Sequence, residues 1–384
     1  MSCNTTAKID DSRLHLLPAA IQRDVDAEHI DGAVVLVAHR GEIVLHEAIG
    51  YSDRSAGLPL QTDAVFWTAS LVKHLTNTML LRYVDRGDIA VTTQIREVIP
   101  EYATKGKDST TVADLLLQRA GLPFAPNLPP EVLGNIQSLT AAVCGMLPER
   151  EPGTSISYAA TVAQSVMAEM VVRLDGRGRD YREILSEQLL DPLEMVDTSL
   201  TPRESLAARR VPVVVRDRRP GLLDAEILEL LGNSTDEDFV VPAGAGLTTS
   251  SDYFRFTELF RREGQLDGVR LLSPALARYS IRSETGDEPN TMWSYAQKSR
   301  QWRPFPANLS LGFYVRGSGI FPHAFGQLAS PTTYGGIGAG SNAFWVDPVR
   351  DLTYIFLSTG LLEETRSWER HQRYSDLAHS ALID

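Results

Sequence analysis

The two ends of the chain carry short apolar runs that are typical of β-strands. Residues 33–38 and 42–48 are β-prone and are separated by an Arg-Gly turn, which predicts a hairpin. Residues 343–346 and 352–358 flank a segment rich in Asp and Pro, so they form a second predicted strand pair. Both chain ends are therefore expected to supply strands.

Between these ends the apolar residues recur at the spacing of an amphipathic helix. In the first of these stretches the apolar positions end just before Gly87, where a helix C-cap is expected. The helices predicted in this way are residues 70–86, 112–118, 161–174, 181–190, 251–263 and 362–381.

Strands at both ends with helices between them predict an α/β (α+β) fold. We expect a central antiparallel sheet formed by both chain ends with flanking helices, together with an inserted, mainly helical lobe. A single domain is predicted over residues 14–375, with a sheet lobe at about 14–68 and 240–384 and a helical lobe at about 69–239. Glycine and proline cluster at 123–130 and 304–340, which predicts long loops that form pocket walls.

Composition narrows the classes of function. The 384 residues are 43% hydrophobic and carry a net charge of −12, which indicates a globular protein and argues against nucleic acid as a partner. Neither an apolar run of roughly 18 residues nor a signal-peptide pattern is found, so we expect no membrane span and a cytoplasmic protein. The eight histidines lack metal-ligand spacing, and neither a metal nor a cofactor is predicted. The oligomeric state is left open.

The stretch TASLVKHL at 68–75 places a serine three residues before a lysine at a predicted helix start. Residues three apart on a helix are neighbours, so the Lys73 amine can approach the Ser70 hydroxyl. Burial lowers the pKa of a lysine, and an uncharged amine can accept the hydroxyl proton. Such a pair makes the serine a nucleophile. A Ser-x-x-Lys match also arises by chance, so further motifs are needed.

Two such motifs follow. Residues 151–160 (EPGTSISYAA) end just ahead of a predicted helix and contain Tyr158, and residues 334–341 (YGGIGAGS) form a glycine-rich turn that leads into the strand at 343–346. With these three motifs the chain resembles the serine β-lactamase-like superfamily, in its class C β-lactamase and family VIII carboxylesterase branch. Further stretches resemble the same family in the same order: TVADLLLQRAGLP at 111–123, PLEMVDT at 192–198 and GAGLTTSSDYFRF at 244–256.

The resemblance implies a role for each matching residue. Ser70 matches the acylated nucleophile, Lys73 the lysine that helps to deprotonate it, and Tyr158 the tyrosine that relays the proton as general base and then acid. The segment from Gly336 to Gly338 matches the Lys-Thr-Gly position. The backbone N–H groups of Ser70 and Ala339 would then form the oxyanion hole.

Two positions depart from the family pattern. Ala160 replaces the asparagine of Tyr-x-Asn, and Gly336 replaces the lysine that helps to hold a substrate carboxylate. Both changes favour an ester over a β-lactam, although Arg316 or another arginine is a candidate replacement for the lost cation. His74 and His323 have no partner in the sequence that would make them bases.

Aromatic residues crowd the segment before the glycine-rich turn, and they are candidates for the wall of an apolar acyl or alcohol pocket. They are Trp293, Tyr295, Trp302, Phe305, Phe313, Tyr314, Phe321 and Phe325. Core packing is the alternative role for each of them.

The sequence therefore predicts a serine hydrolase that cleaves a small-molecule ester or amide through an acyl-enzyme on Ser70, most simply a family VIII-type carboxylesterase. An acyltransferase, an amidase or D-aminopeptidase and a weak β-lactamase remain open for the same site. A non-catalytic homologue that binds peptidoglycan fragments or a protein partner is the alternative from another class.

Overall fold

Most of the strand structure lies near the two ends of the chain. The computed structural model of the protein describes residues 9–339 and 341–383. The strands of this part are β1 (Gly32–His39), β2 (Glu42–Asp53), β3 (Leu58–Pro59), β4 (Phe66–Trp67), β5 (Leu247–Thr248), β6 (Gln265–Leu266), β7 (Val269–Arg270), β8 (Tyr314–Val315), β9 (Tyr334–Gly338), β10 (Asn342–Asp347) and β11 (Leu352–Thr359).

Helices fill the middle of the chain and also occur at both ends. They are α1 (Asp11–Leu14), α2 (Leu16–Asp26), α3 (Val72–Asp85), α4 (Val112–Leu116), α5 (Pro130–Leu133), α6 (Ile136–Gly145), α7 (Ala163–Asp175), α8 (Tyr181–Leu185), α9 (Ala225–Asn233), α10 (Ser250–Arg261), α11 (Pro274–Ser280), α12 (Ser294–Ser299) and α13 (Glu364–Ser380).

The main sheet joins the two chain ends. Within the described residues it is a seven-stranded antiparallel sheet in the order β3-β2-β1-β11-β10-β9-β8. The predicted hairpin is confirmed as β1 paired with β2, and β1 also pairs with β11 so that Val34 lies opposite Leu357. Every residue of β1 and β11 is buried. Because successive side chains of a strand point to opposite faces, the centre of the sheet is covered on both sides.

The fold class is confirmed, since the sheet is flanked by helices and a largely helical segment is inserted between its strands. Helices α2, α10 and α13 pack against the sheet, and α3 packs against α7 in the inserted part. Each predicted helix is present with shifted ends, whereas α1, α2, α5, α6, α9, α11 and α12 were not predicted. Pro18 lies in the first turn of α2, where a missing backbone N–H costs no helical hydrogen bond. The lobe boundaries stay a prediction.

The glycine-rich segment before β10 differs from the prediction of a turn. Its residues 334–338 form strand β9 rather than a turn, and β9 pairs with β10 on one side and β8 on the other. A side chain at Gly338 is excluded, because its Cβ would lie 2.9 Å from the Thr68 carbonyl oxygen and 3.2 Å from the Ala69 Cβ. Glycine is therefore used here for close packing against the segment that precedes α3.

No helix among the described residues is both long enough and apolar enough to cross a membrane.

Candidate active site

Ser70 lies at the entrance to helix α3. It sits in a 3-10 turn, Ala69–Leu71, that leads directly into the helix, so the predicted position in the first turn is shifted slightly ahead of α3. Ala69 has a φ of +47°, in the left-handed region that non-glycine residues rarely adopt. Strained backbone of this kind is held in place by surrounding structure and is concentrated at functional sites.

Lys73 is buried in the first turn of α3, 5% exposed, and its amine reaches the nucleophile. Its Nζ lies 3.2 Å from Ser70 Oγ and 2.8 Å from the Ala160 carbonyl oxygen, and it also donates to the Ala243 carbonyl oxygen. Burial lowers the pKa of Lys73 to about 7. A neutral amine has two N–H donors and one lone pair. The two carbonyls take the donors, which leaves the lone pair for the Ser70 hydroxyl.

Tyr158 completes the cluster from the segment before α7. Its hydroxyl lies 3.3 Å from Ser70 Oγ, and Lys73 Nζ lies 5.5 Å from the centre of its ring. Burial raises the pKa of Tyr158 to about 12, although its hydrogen bond with Ser70 opposes this shift. The phenol is therefore protonated at neutral pH. Of the two groups beside Ser70, Lys73 is the one whose pKa suits a base.

The segment around Tyr158 is fixed by backbone hydrogen bonds to the neighbouring loop. The Ser157 N–H donates to the Gln118 carbonyl oxygen over 2.6 Å, and the Ala160 N–H donates to the Phe124 carbonyl oxygen over 2.7 Å. The loop that begins at the end of α4 thus positions Tyr158 and the Ala160 carbonyl together.

The end of β9 borders the same space. Gly338 and Ala339 line a cavity together with Ser70 and Tyr158, and β9 packs against the turn that holds Ser70. The structure thus brings the predicted oxyanion segment beside the predicted nucleophile. Gly336 lies further along β9 and does not line this cavity.

Comparison with known proteins shows the family to which the chain belongs. A family model described as Beta-lactamase matches residues 17–377. The chain belongs to the beta-lactamase family. Protein Rv1367c of Mycobacterium tuberculosis is 25% identical over 368 residues, which cover 88% of each chain. Among solved structures, a penicillin-binding protein homologue from Caulobacter crescentus has a TM-score of 0.77 at 20% identity and covers 96% of this chain and 98% of its own. A family VIII carboxylesterase has a TM-score of 0.75 at 20% identity with the same coverage.

In this member of the beta-lactamase family, another side chain occupies the space beside Gly336, the residue that the sequence resemblance matches to the motif lysine. A Cβ at Gly336 would lie 1.9 Å from His74 Nε2, so the imidazole occupies the space of a side chain at 336. His74 Nδ1 donates to the Gly312 carbonyl oxygen over 2.8 Å, and the ring stacks on Phe313 at 5.2 Å. Burial lowers the pKa of His74 to about 4, so the imidazole is neutral at pH 7. It supplies no cation in place of the lysine.

Arg316, one candidate for a replacement cation, does not line the cavity beside Ser70 either. Its guanidinium is buried and donates to the carbonyl oxygens of Gly326 and Gly319 and to Gln327 Oε1, at 2.7, 2.9 and 2.8 Å. These acceptors belong to the loop after β8. Arg316 therefore holds that loop together and does not line the cavity beside Ser70.

The cavity beside Ser70, together with the solvent space at its mouth, comprises about 870 Å³ of empty space. Its walls are largely apolar, and they contain two of the predicted aromatic residues, Trp293 and Tyr314. The remaining predicted aromatics do not line it, and rings such as Phe305 and Phe321 stack on one another instead. The apolar wall includes four leucines around α9, namely Leu222, Leu223, Leu228 and Leu231.

One wall of the cavity was not anticipated from the sequence. Helix α13 contributes one face to it, made by Glu364, Ser367, Trp368 and His371. This spacing of three to four residues is the only signal in the sequence, and it marks a buried helix face rather than a pocket. A glutamate in the first turn of a helix is also favoured by the helix dipole, so Glu364 did not stand out.

Proposed function

We propose that the protein is a serine hydrolase that cleaves esters through an acyl-enzyme on Ser70, as a family VIII-type carboxylesterase does. The observation that carries this proposal is the buried Lys73 amine, whose pKa of about 7 and 3.2 Å distance from Ser70 Oγ suit a general base. Membership of the beta-lactamase family supports the same chemistry.

Acylation begins when Lys73 accepts the Ser70 hydroxyl proton and Oγ bonds to the ester carbonyl carbon. The negative charge on the carbonyl oxygen is stabilised by the backbone N–H groups of Ser70 and Ala339. The bond from carbon to the alcohol oxygen then breaks. The departing alkoxide takes a proton from the Tyr158 hydroxyl, and the Lys73 ammonium then returns a proton to the Tyr158 oxygen.

Deacylation repeats the same proton transfers with water. Lys73, neutral again, removes a proton from a water molecule through the Tyr158 hydroxyl, and the hydroxide adds to the acyl carbonyl. Ser70 Oγ leaves with the proton, and a carboxylic acid is released. In each half of the reaction Lys73 thus acts first as a base and then as an acid, and Tyr158 passes protons between Lys73 and the reacting oxygen.

The walls of the cavity favour an ester over a β-lactam. A β-lactam antibiotic carries a carboxylate, and a charge-assisted hydrogen bond to such a group contributes about 1.5–3 kcal/mol. The positions that would hold this carboxylate are occupied here by the neutral His74 and by Gly336. The leucine-rich wall around α9 suits the apolar part of an ester.

Turnover of p-nitrophenyl esters of increasing chain length tests the proposal directly. We expect Ser70-dependent release of p-nitrophenol and covalent labelling by a fluorophosphonate probe, both of which are lost in Ser70→Ala. Nitrocefin in parallel measures any β-lactam hydrolysis. A protein that neither labels nor releases p-nitrophenol would not be a serine esterase.

A further inference from the structure

Glu364 is an acid on the wall of an otherwise apolar cavity. It is 7% exposed and lines the cavity that also contains Ser70. Its Oε2 accepts the Leu222 N–H over 2.9 Å and the Tyr295 hydroxyl over 3.5 Å, whereas Oε1 has no hydrogen-bond partner among the residues that the structure describes. Burial raises the pKa of Glu364, and the neighbouring Glu363 adds to this shift. A buried carboxylate without a partner is costly unless something pairs with it.

Capping of α13 does not account for this carboxylate. The cap is Glu363, whose side chain accepts the N–H groups of Thr365 and Arg366 and also the Tyr295 hydroxyl. Glu364 is therefore not needed at the helix start. Its position on the wall of the cavity is what distinguishes it from its neighbour.

Glu364 also interacts electrostatically with one of the reacting groups. It contributes to the raised pKa of Tyr158, whose hydroxyl is 3.3 Å from Ser70 Oγ. His371, on the same wall, donates from Nε2 to the Ser341 carbonyl oxygen, and burial lowers its pKa to about 3, so it is neutral at pH 7. Among the described residues that line the cavity, Glu364 is thus the one carboxylic acid, and the lining includes neither lysine nor arginine.

Aromatic residues accompany the carboxylate. The rings of Trp293 and Trp368 are 4.5 Å apart, and Tyr314 meets Trp368 edge-on at 6.4 Å. All three line the cavity with Glu364. A carboxylate bordered by tryptophan and tyrosine is a common environment for an ammonium ion, which gains both an ion pair and the attraction of the aromatic rings.

We propose that the substrates of this site carry a protonated amine that Glu364 binds, while the leucine-rich wall holds their apolar part. The proposal rests on the acyl-enzyme function of Ser70 proposed above and adds the class of substrate: ammonium-bearing esters. An anionic substrate, in contrast, meets a carboxylate and finds no cation on the cavity wall.

Matched p-nitrophenyl esters test this preference at pH 7. The 6-aminohexanoyl ester has an ammonium where the heptanoyl ester has a methyl group, and the monoadipoyl ester ends in a carboxylate. We expect kcat/KM for the ammonium ester to exceed that for the heptanoyl ester by about tenfold or more, and the carboxylate ester to be the poorest. The shorter pair of 3-aminopropanoyl and butanoyl esters measures how far the amine lies from the reacting carbonyl.

Glu364→Gln assigns the preference to this residue. It keeps an acceptor for the Leu222 N–H and removes the charge, so the ratio of ammonium to neutral ester should fall to about one or below. Glu369, also on α13, forms an exposed ion pair with Arg300. Glu369→Gln removes the same charge there, and this control variant should keep the wild-type ratio of ammonium to neutral ester. Thermal melting of both variants checks that they are folded.

The outcomes separate the two proposals. Turnover of neutral esters with no ammonium preference, or with a preference that survives in Glu364→Gln, overturns the substrate class and leaves the esterase proposal intact. If no ester is cleaved, the esterase proposal fails, and calorimetric titration with hexylammonium still tests the site. Binding that is lost in Glu364→Gln and kept in Glu369→Gln supports it, and equal binding by all three proteins overturns it.

Discussion

The imidazole of His74 occupies the space into which a side chain at Gly336 would project. The two residues come from different elements, α3 and β9, and the position of the ring leaves no room for a side chain at 336. Strand β9 also packs against the turn that holds Ser70, which leads into the helix that carries Lys73. The ring itself is fixed by the Gly312 carbonyl oxygen and by stacking on Phe313.

Gly336→Ala should destabilise the protein because its new methyl group collides with His74. Overpacking of a buried contact costs about 1–3 kcal/mol in the free energy of unfolding, which urea denaturation measures. In a His74→Ala background the same substitution should cost much less, since the ring is gone. Additive effects of the two substitutions would contradict the contact.

Lys73 should impose a pH dependence on acylation. The amine acts as a base only when it is neutral, and its pKa is about 7, so kcat/KM should rise with pH below about 7 and level off above it. Lys73→Ala should lower kcat/KM by about 10²–10⁴-fold at pH 8. Ester hydrolysis by wild type and variant from pH 5 to 9 checks both statements. A flat profile, or turnover retained in Lys73→Ala, would assign the lysine a structural role.

The same pKa makes Lys73 a source of pH-dependent stability. Its folded pKa of about 7 lies below the unfolded value near 10.4, so the unfolded chain binds more protons between these values. The contribution of Lys73 to the free energy of unfolding should therefore increase as the pH rises from about 7 towards 10. The difference in unfolding free energy between wild type and Lys73→Met, measured in urea at pH 7 and 9, isolates this contribution.

Tyr158 should act by passing protons and not as the primary base. Its pKa of about 12 keeps the phenol protonated, and its hydroxyl lies 3.3 Å from Ser70 Oγ. Tyr158→Phe should lower kcat/KM by about 10²-fold but leave the pH midpoint near 7, because Lys73 still sets it. A midpoint that disappears in Tyr158→Phe would instead identify the tyrosine as the base.

Arg316 should prove important for stability and not for substrate charge. Arg316→Ala removes the donor for the carbonyl oxygens of Gly319 and Gly326 and leaves buried acceptors unpaired, which should cost about 2–4 kcal/mol in the free energy of unfolding. The relative kcat/KM of the ammonium, neutral and carboxylate esters should stay as in wild type. A selective change for the carboxylate ester would place the guanidinium within reach of substrate.

Much of the fold was predictable because it depends on local patterns. The hairpin of β1 and β2 follows from two β-prone runs separated by an Arg-Gly turn, and the long helices follow from helical spacing. Both signals lie within a single stretch of chain. Helix α2 was not predicted because its first turn contains Pro18, a residue that usually argues against a helix. Strand β9 was not predicted because glycines have a low strand propensity. Their role, which is to let the strand pack closely against a distant segment, is not visible in the local sequence.

The sequence by itself determined which chemical groups are present: a serine and a lysine one helical turn apart, a tyrosine ahead of another helix, and no lysine at position 336. Each of these features lies within one element, so it can be recognised without any knowledge of the rest of the fold. Only the tertiary structure decided that the Ala160 and Ala243 carbonyls hold the Lys73 amine, that His74 fills the space at Gly336, and that Glu364 faces the cavity. Each of these joins residues far apart in the chain, and burial, which sets the pKa of Lys73, exists only once they have packed together.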